Sequence, residues 1–181
     1  MARSPSLWKA DSVTESHKNS SQESQELQPC MLYVDKEGQW FHKGEPLIHQ
    51  GLIRLFYQYL DTDIEGCYII RLQDQTCRLD VEDTPFVVAR TDHIPPDKNL
   101  GRETFRLHII DGTKEELDPD SLFVGANHVL YCKIRKGRFR ARFSRSAYYQ
   151  LAWYVREDQE TGEYVLSLNG AAYTVSTTRN E

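Results

Sequence analysis

Two short stretches decide how this sequence folds: Gly66-Cys67-Tyr68-Ile69-Ile70 and Gly162-Glu163-Tyr164-Val165-Leu166. Each sets a glycine before a tyrosine and two aliphatic residues, as expected where a turn releases a strand. Upstream of each lies the same series. A short strand-like run reaches a Lys-Gly pair (Lys43-Gly44 and Lys136-Gly137), and a second run, an amphipathic segment and a polar loop follow. The natural reading is a β–helix–β unit present twice. Two copies are too few for a solenoid.

The amphipathic segments set the helices. Leu52, Leu55, Phe56, Tyr59 and Leu60 fall at i, i+3, i+4, i+7 and i+8, which predicts a helix over 50–60 ended by the polar run 61–66. Ser144 is an N-cap for a second helix over 145–155, with Tyr148, Leu151, Ala152 and Val155 as its apolar stripe. Around them, alternating runs at 67–72, 76–81, 86–91, 104–110, 129–134 and 138–143 read as strands. Asn169-Gly170 joins 164–168 to 172–175 as a hairpin. The fold class is α+β, with two duplicated β-rich units that each carry one amphipathic helix. Residues 1–28, rich in Ser, Gln, Glu and Lys, read as a disordered tail. Pro95, Pro96 and Gly101 mark the link between an N-terminal unit, 29–94, and a C-terminal unit, 95–181.

Composition narrows the function. With 27 acidic residues against 22 basic ones and a net charge of −5, bulk electrostatics argue against nucleic acid as a partner. No apolar run approaches 18 residues, so no membrane-spanning helix is expected. The first 29 residues lack the apolar centre of a secretory signal, which points to the cytoplasm. The four cysteines form no Cys-x-x-Cys pair, and reduced, structural thiols are the expectation.

One segment breaks the acidic balance. Lys133, Arg135, Lys136, Arg138, Arg140, Arg142 and Arg145 fall close together with no acid among them. In Arg138-Phe139-Arg140-Ala141-Arg142-Phe143 the period of two puts the arginines on one face, where they repel unless an anion or carboxylates compensate them. A guanidinium grips phosphate or carboxylate as a two-pronged fork. Arg138, Arg140 and Arg142 are therefore candidate ligand-binding residues. Glu82 and Asp83 from the turn before Pro85, Arg54 from the first helix and His42 complete the set. Internal acids, Asp80–Asp83 or the acidic stretch 111–120, are the competing partners of the basic face.

Other patterns carry less chemistry. Asp61-x-Asp63-x-Glu65-Gly66 begins like an EF-hand loop, but its twelfth position is Leu72 where a bidentate Glu is needed, so no metal is expected. No nucleophile elbow, P-loop or dinucleotide fingerprint occurs, and no catalytic residue is assigned. Tyr149 and Trp153 lie at i and i+4 on the flank of the second helix, where stacking on a base or covering the other half competes with core packing, the expected role.

Several segments together resemble a family of bacterial proteins called domain of unknown function 1285. They are Trp40-Phe41-His42-Lys43-Gly44-Glu45-Pro46-Leu47, Leu52-Ile53-Arg54-Leu55-Phe56, Val81-Glu82-Asp83-Thr84-Pro85-Phe86, Arg145-Ser146-Ala147-Tyr148-Tyr149-Gln150-Leu151 and Asn169-Gly170-Ala171-Ala172-Tyr173. The resemblance implies a duplicated fold whose second unit is a partly open barrel like a pleckstrin-homology domain. It also implies a nucleotide-like ligand at the interface between domains and a role in signal transduction. Together with the basic face, it leads to the expectation of a ligand-binding or regulatory protein for an anionic, nucleotide-like small molecule. The alternative is a protein-interaction module that recognises an acidic partner through the basic hairpin.

Overall fold

The computed structural model describes residues 27–96 and 101–177. The expectation of a disordered tail over 1–28 falls almost wholly outside the described residues. In the first unit β1 (Pro29–Val34), β2 (Trp40–His42) and β3 (Glu45–Pro46) lead into α1 (Gln50–Tyr59). Then come β4 (Leu60–Thr62), β5 (Tyr68–Leu72) and β6 (Gln75–Val81). Three strands follow: β7 (Phe86–Ile94), β8 (Thr104–Ile109) and β9 (Lys114–Glu116). The remaining elements are β10 (Phe123–Val124), β11 (Leu130–Ile134), β12 (Phe139–Phe143), α2 (Arg145–Ala152), β13 (Val155–Glu157), β14 (Tyr164–Leu168), β15 (Ala171–Thr174) and β16 (Ser176–Thr177).

The duplication is visible strand by strand. The first unit is one sheet of order β3-β2-β1-β6-β5-β4. In the second, β12, β11, β10 and β16 neighbour one another in the same sense, and β15, β14 and β13 continue the series as a separate three-stranded sheet. The strand that is continuous as β6 is broken here at Val175, between β15 and β16, and the break splits one sheet into two. The turns repeat as closely. Lys43 and Gly44 have φ of 51° and 85°, and Lys136 and Gly137 have 59° and 84°. Gly66 and Gly162 both sit in the left-handed region that favours glycine, at 82° and 72°. In each unit an aspartate organises the loop before that glycine. Asp63 Oδ1 accepts from the backbone of Glu65 and Cys67, and Asp158 Oδ1 from that of Glu160 and Thr161. Beyond it, Tyr68 pairs with Thr62 as Tyr164 pairs with Glu157.

The repeats are therefore residues 29–81 and 123–177, with β7, β8 and β9 between them. These strands extend the second sheet from β12, to which β7 is parallel, giving the order β16-β10-β11-β12-β7-β8-β9. The sheets divide between β6 and β7, not at the proline pair after Ile94. Both large sheets are open, with β3, β4, β16 and β9 at their edges, so the second unit does not close into a barrel.

Both helices are capped by side chains. His49 Nδ1 accepts from Leu52 N at 3.1 Å, and Ser144 Oγ accepts from Ala147 N at 3.1 Å. The core runs through both units as a chain of rings. Trp40 meets Tyr57 edge-on at 5.1 Å, Tyr57 meets Phe86 at 5.2 Å, and Phe86 meets Phe139 at 5.1 Å. Over this seam lies Arg135. Its guanidinium sits 4.5 Å from the Phe86 centroid, bonds Tyr57 O at 3.1 Å, and pairs at 2.8 Å with Asp111, whose side chain is 2% exposed.

One expectation fails outright. Cys30 and Cys77 form a disulfide between β1 and β6, while Cys67 and Cys132 are free thiols. The two parallel strands lose register there, Pro29 facing Arg78 and Tyr33 facing Asp80, so β1 carries two extra residues between these pairs. The extra chain length brings the two sulfurs together across the ladder.

Candidate functional site

The basic hairpin is answered from within the molecule. Arg138 pairs with Asp61 in β4. Asp83, at the turn between β6 and β7, takes both neighbours: Arg140 at 3.1 Å on Oδ1 and Arg142 at 3.3 Å on Oδ2. Tyr131 also donates its hydroxyl to Asp83 Oδ2 at 2.8 Å, and Arg140 lies 4.8 Å above the Tyr131 ring. Burial and the Asp83 carboxylate together push the Tyr131 hydroxyl up to about 12.

The other expected site residues lie apart. Glu82 points to the β1–β2 turn, where it accepts from Tyr33 Oη and Lys36 N, both at 3.1 Å. The Lys36 backbone N–H, foremost, holds its carboxyl below the usual range. His42 lies at the end of β2 and Arg54 on an exposed stretch of α1. Among the described residues, no hydrogen bond or ion pair joins either to Asp83 or the arginines. The structure thus assembles Arg140, Arg142 and Asp83 but leaves Glu82, Arg54 and His42 elsewhere.

A different place offers an open hollow. Between α2 and the end of β7 lies a cavity of about 610 Å³, in the size range of small-molecule sites. It opens where the inserted strands meet the second repeat. Trp153, the residue after α2, forms its lip and is 77% exposed, while Tyr154 forms its wall. Of the expected apolar stripe, Leu151 is buried and Val155 packs against the core, but Tyr148 is exposed and Ala147 is buried in its place; Tyr149 and Trp153 also face outward. Core packing therefore does not explain Tyr149 and Trp153.

Polar groups line the floor. Gln150 Oε1 accepts from Thr91 N at 2.8 Å, which fixes the helix to the strand. Thr91 is 5% exposed, yet its hydroxyl has no partner among the described residues. The His93 ring packs at a tilt against Tyr154 with centroids 4.5 Å apart, and its Nε2 lies 2.5 Å from Glu103 Oε1. Asp92 takes a two-pronged grip from Arg90 at 2.6 and 2.8 Å and lies 2.7 Å from His108 Nε2. The Arg90 guanidinium, with help from His108, holds the Asp92 carboxyl below the usual range. The acids beside the cavity are thus matched. Arg156 adds a cation nearby. Its guanidinium bonds Trp153 O at 2.7 Å and has no carboxylate partner among the described residues.

Sequence reasoning missed Thr91, Asp92, His93, Glu103 and His108, because only the antiparallel register of β7 with β8 brings them together. Asp92 faces Arg106, and His93 faces Phe105. In the sequence Thr91, Asp92 and His93 are adjacent, but Glu103 and His108 follow 10 and 16 positions after their partners, in no motif spacing.

No family model and no curated protein sequence matches this chain. The solved structures similar to it are DUF1285 family proteins. One, from Silicibacter pomeroyi, superposes with a TM-score of 0.67 at 16% identity, over 81% of this chain and 80% of its own. Another, from Shewanella baltica, gives 0.54 at 19% identity, over 67% of this chain and 90% of its own. At these identities the likeness is one of fold, and it agrees with the resemblance carried by the sequence motifs.

Proposed function

We propose that this protein is a ligand-binding module whose site is the cleft between α2 and β7, and that it takes a small molecule with a flat ring and an anionic tail, as a nucleotide has. The observation that carries this is an indole held 77% exposed on the lip of a cavity of about 610 Å³. A large exposed ring beside a hollow offers a stacking platform, and base–aromatic stacking contributes about 1–3 kcal/mol. The Gln150 amide nitrogen, the Tyr154 hydroxyl and the Thr91 hydroxyl supply donors for ring acceptors, while Arg156 supplies the charge for the tail. The basic hairpin is a weaker seat for the anion, since Asp61 and Asp83 already hold its guanidiniums.

A second reading keeps some support. The Arg138 and Arg140 side chains are 54% and 44% exposed, and exposed pairs are weak enough for an acidic partner protein to replace them. As for location, no helix among the described residues is long and apolar enough to cross a membrane. The Cys30–Cys77 bridge favours an oxidising compartment over the cytoplasm as the working environment.

The test is a tryptophan-fluorescence titration with nucleosides and nucleoside phosphates. Binding should quench the emission in the native chain, weaken about tenfold or more in Trp153→Ala, and lose its preference for phosphorylated ligands in Arg156→Gln. Quenching unchanged by Trp153→Ala, or none with any nucleotide, would remove the reading.

A further inference from the structure

A second hollow lies on the far side of Glu103. It measures about 310 Å³ and is bounded by β8, the end of β9 with the one-turn helix after it, and the β14–β15 turn. Asn169 fixes this corner. Its side chain accepts from Glu103 N at 2.6 Å and donates to Glu103 O at 2.7 Å, so the hairpin tip is tied to the start of β8. Two buried side chains, Leu117 and Leu168, give the hollow apolar walls, and the Tyr173 ring adds a third face.

Its polar lining is unbalanced in two respects. Thr104 is 4% exposed and lines the hollow, yet its hydroxyl has no partner among the described residues. Buried hydroxyls are rarely left so, and one that borders a space points to something that enters that space. The charges do not cancel either. Arg102 is matched by Glu116 at 2.6 Å, which leaves Asp118 as the surplus carboxylate. Asp118 accepts one long bond of 3.3 Å from Asp120 N, and no cation pairs with it among the described residues.

We propose that this hollow is a separate binding site for a small primary ammonium on a short apolar body. The ammonium would meet Asp118, the body the leucine walls and Tyr173, and the Thr104 hydroxyl an acceptor of the ligand. An α-amino acid and a simple alkylamine share this chemistry. They differ in a carboxylate, which Arg102 could take by exchanging it for Glu116, an exposed and therefore weakly held partner. The proposal is independent of the cleft at Trp153.

Saturation-transfer NMR on the full chain tests it with four probes: leucine, leucinamide, isopentylamine and N-acetylleucine. The three with a free ammonium should give saturable signals at millimolar concentrations, and N-acetylleucine none. A higher affinity for leucine than for leucinamide would assign the carboxylate to Arg102, and equal affinity would assign the site to amines in general. Asp118→Asn, which keeps the capping oxygen, should weaken leucinamide at least fivefold. Thr104→Val, close in shape, should weaken it too, and Trp153→Ala should leave it unchanged. N-acetylleucine binding as well as leucine, or no saturable signal from any probe, would overturn the proposal.

Discussion

Reducing the Cys30–Cys77 bridge is the perturbation whose cost follows most directly from the structure. The bridge closes a loop with a sequence separation of 47, spanning nearly the whole first repeat. Chain-entropy scaling gives about 4 kcal/mol for a loop of that length, nearly all of it from freeing the unfolded chain. Little native enthalpy should be lost. Cys30 is fully buried and stays packed as a thiol, and β1 keeps its pairing with β2. Urea unfolding with and without a reductant measures the difference. The expected loss approaches about 4 kcal/mol, with a larger m-value for the reduced chain because its unfolded state expands. Thiol titration in denaturant gives an independent check, finding Cys67 and Cys132 before reduction and all four cysteines after it. Four reactive thiols in unreduced protein would exclude the bridge, and a stability change below about 1 kcal/mol would exclude its entropic role.

Three further outcomes follow from the same contacts. Arg135→Met strands the enclosed Asp111 carboxylate and should cost about 3 kcal/mol, the low end for a broken buried pair because the Arg135 side chain is 27% exposed. Its denaturation midpoint should fall, and the double variant with Asp111→Asn should recover part of the loss. Tyr57→Phe removes a buried bond to Pro85 O, at 2.9 Å, for about 1 kcal/mol near neutral pH. Burial pushes the Tyr57 hydroxyl up to about 12, so its stabilising share is present below the ordinary tyrosine value and lost as pH rises toward the folded one. Alkaline unfolding followed by circular dichroism should therefore be shallower in Tyr57→Phe. Asp92 has the opposite sign. Arg90 lowers its pKa, so the pairing stabilises above the ordinary carboxylate range and is lost as pH falls through the folded value. Melting temperatures taken from neutral to strongly acid pH should then decline less steeply in Asp92→Asn than in the native chain.

What could be read from the sequence was whatever is enforced locally. The second helix start rests on Ser144, both helices rest on a stripe of apolar residues, and the repeated turns rest on Lys-Gly pairs and on Gly66 and Gly162. All of these are properties of a few adjacent residues. The duplication could be read for the same reason, since both copies use the same local devices. Long-range pairing could not. Nothing in residues 86–94 says that they join β12 instead of the first sheet, because a buried strand looks alike on either side. The Cys30–Cys77 bridge depends on a register shift in a parallel ladder, which leaves no trace in cysteine spacing. At the candidate site, the arginine alternation called for an external anion or internal carboxylates, and Asp61 and Asp83 stand opposite the guanidiniums. Glu82, on the other parity of the strand end, turns away to Lys36. A helical stripe shows that Trp153 shares a face with Tyr149, not whether a neighbour covers that face.

The proposed cleft at the end of α2 and the basic hairpin are the two competing seats for a ligand. Backbone amide shift mapping by NMR during titration with a nucleoside phosphate puts the two places in one experiment. Perturbations concentrated at 91–94 and 150–156, with residues 131–142 quiet, are the predicted result. Shifts centred on Arg140, Arg142 and Asp83, with Trp153 unmoved, would contradict it.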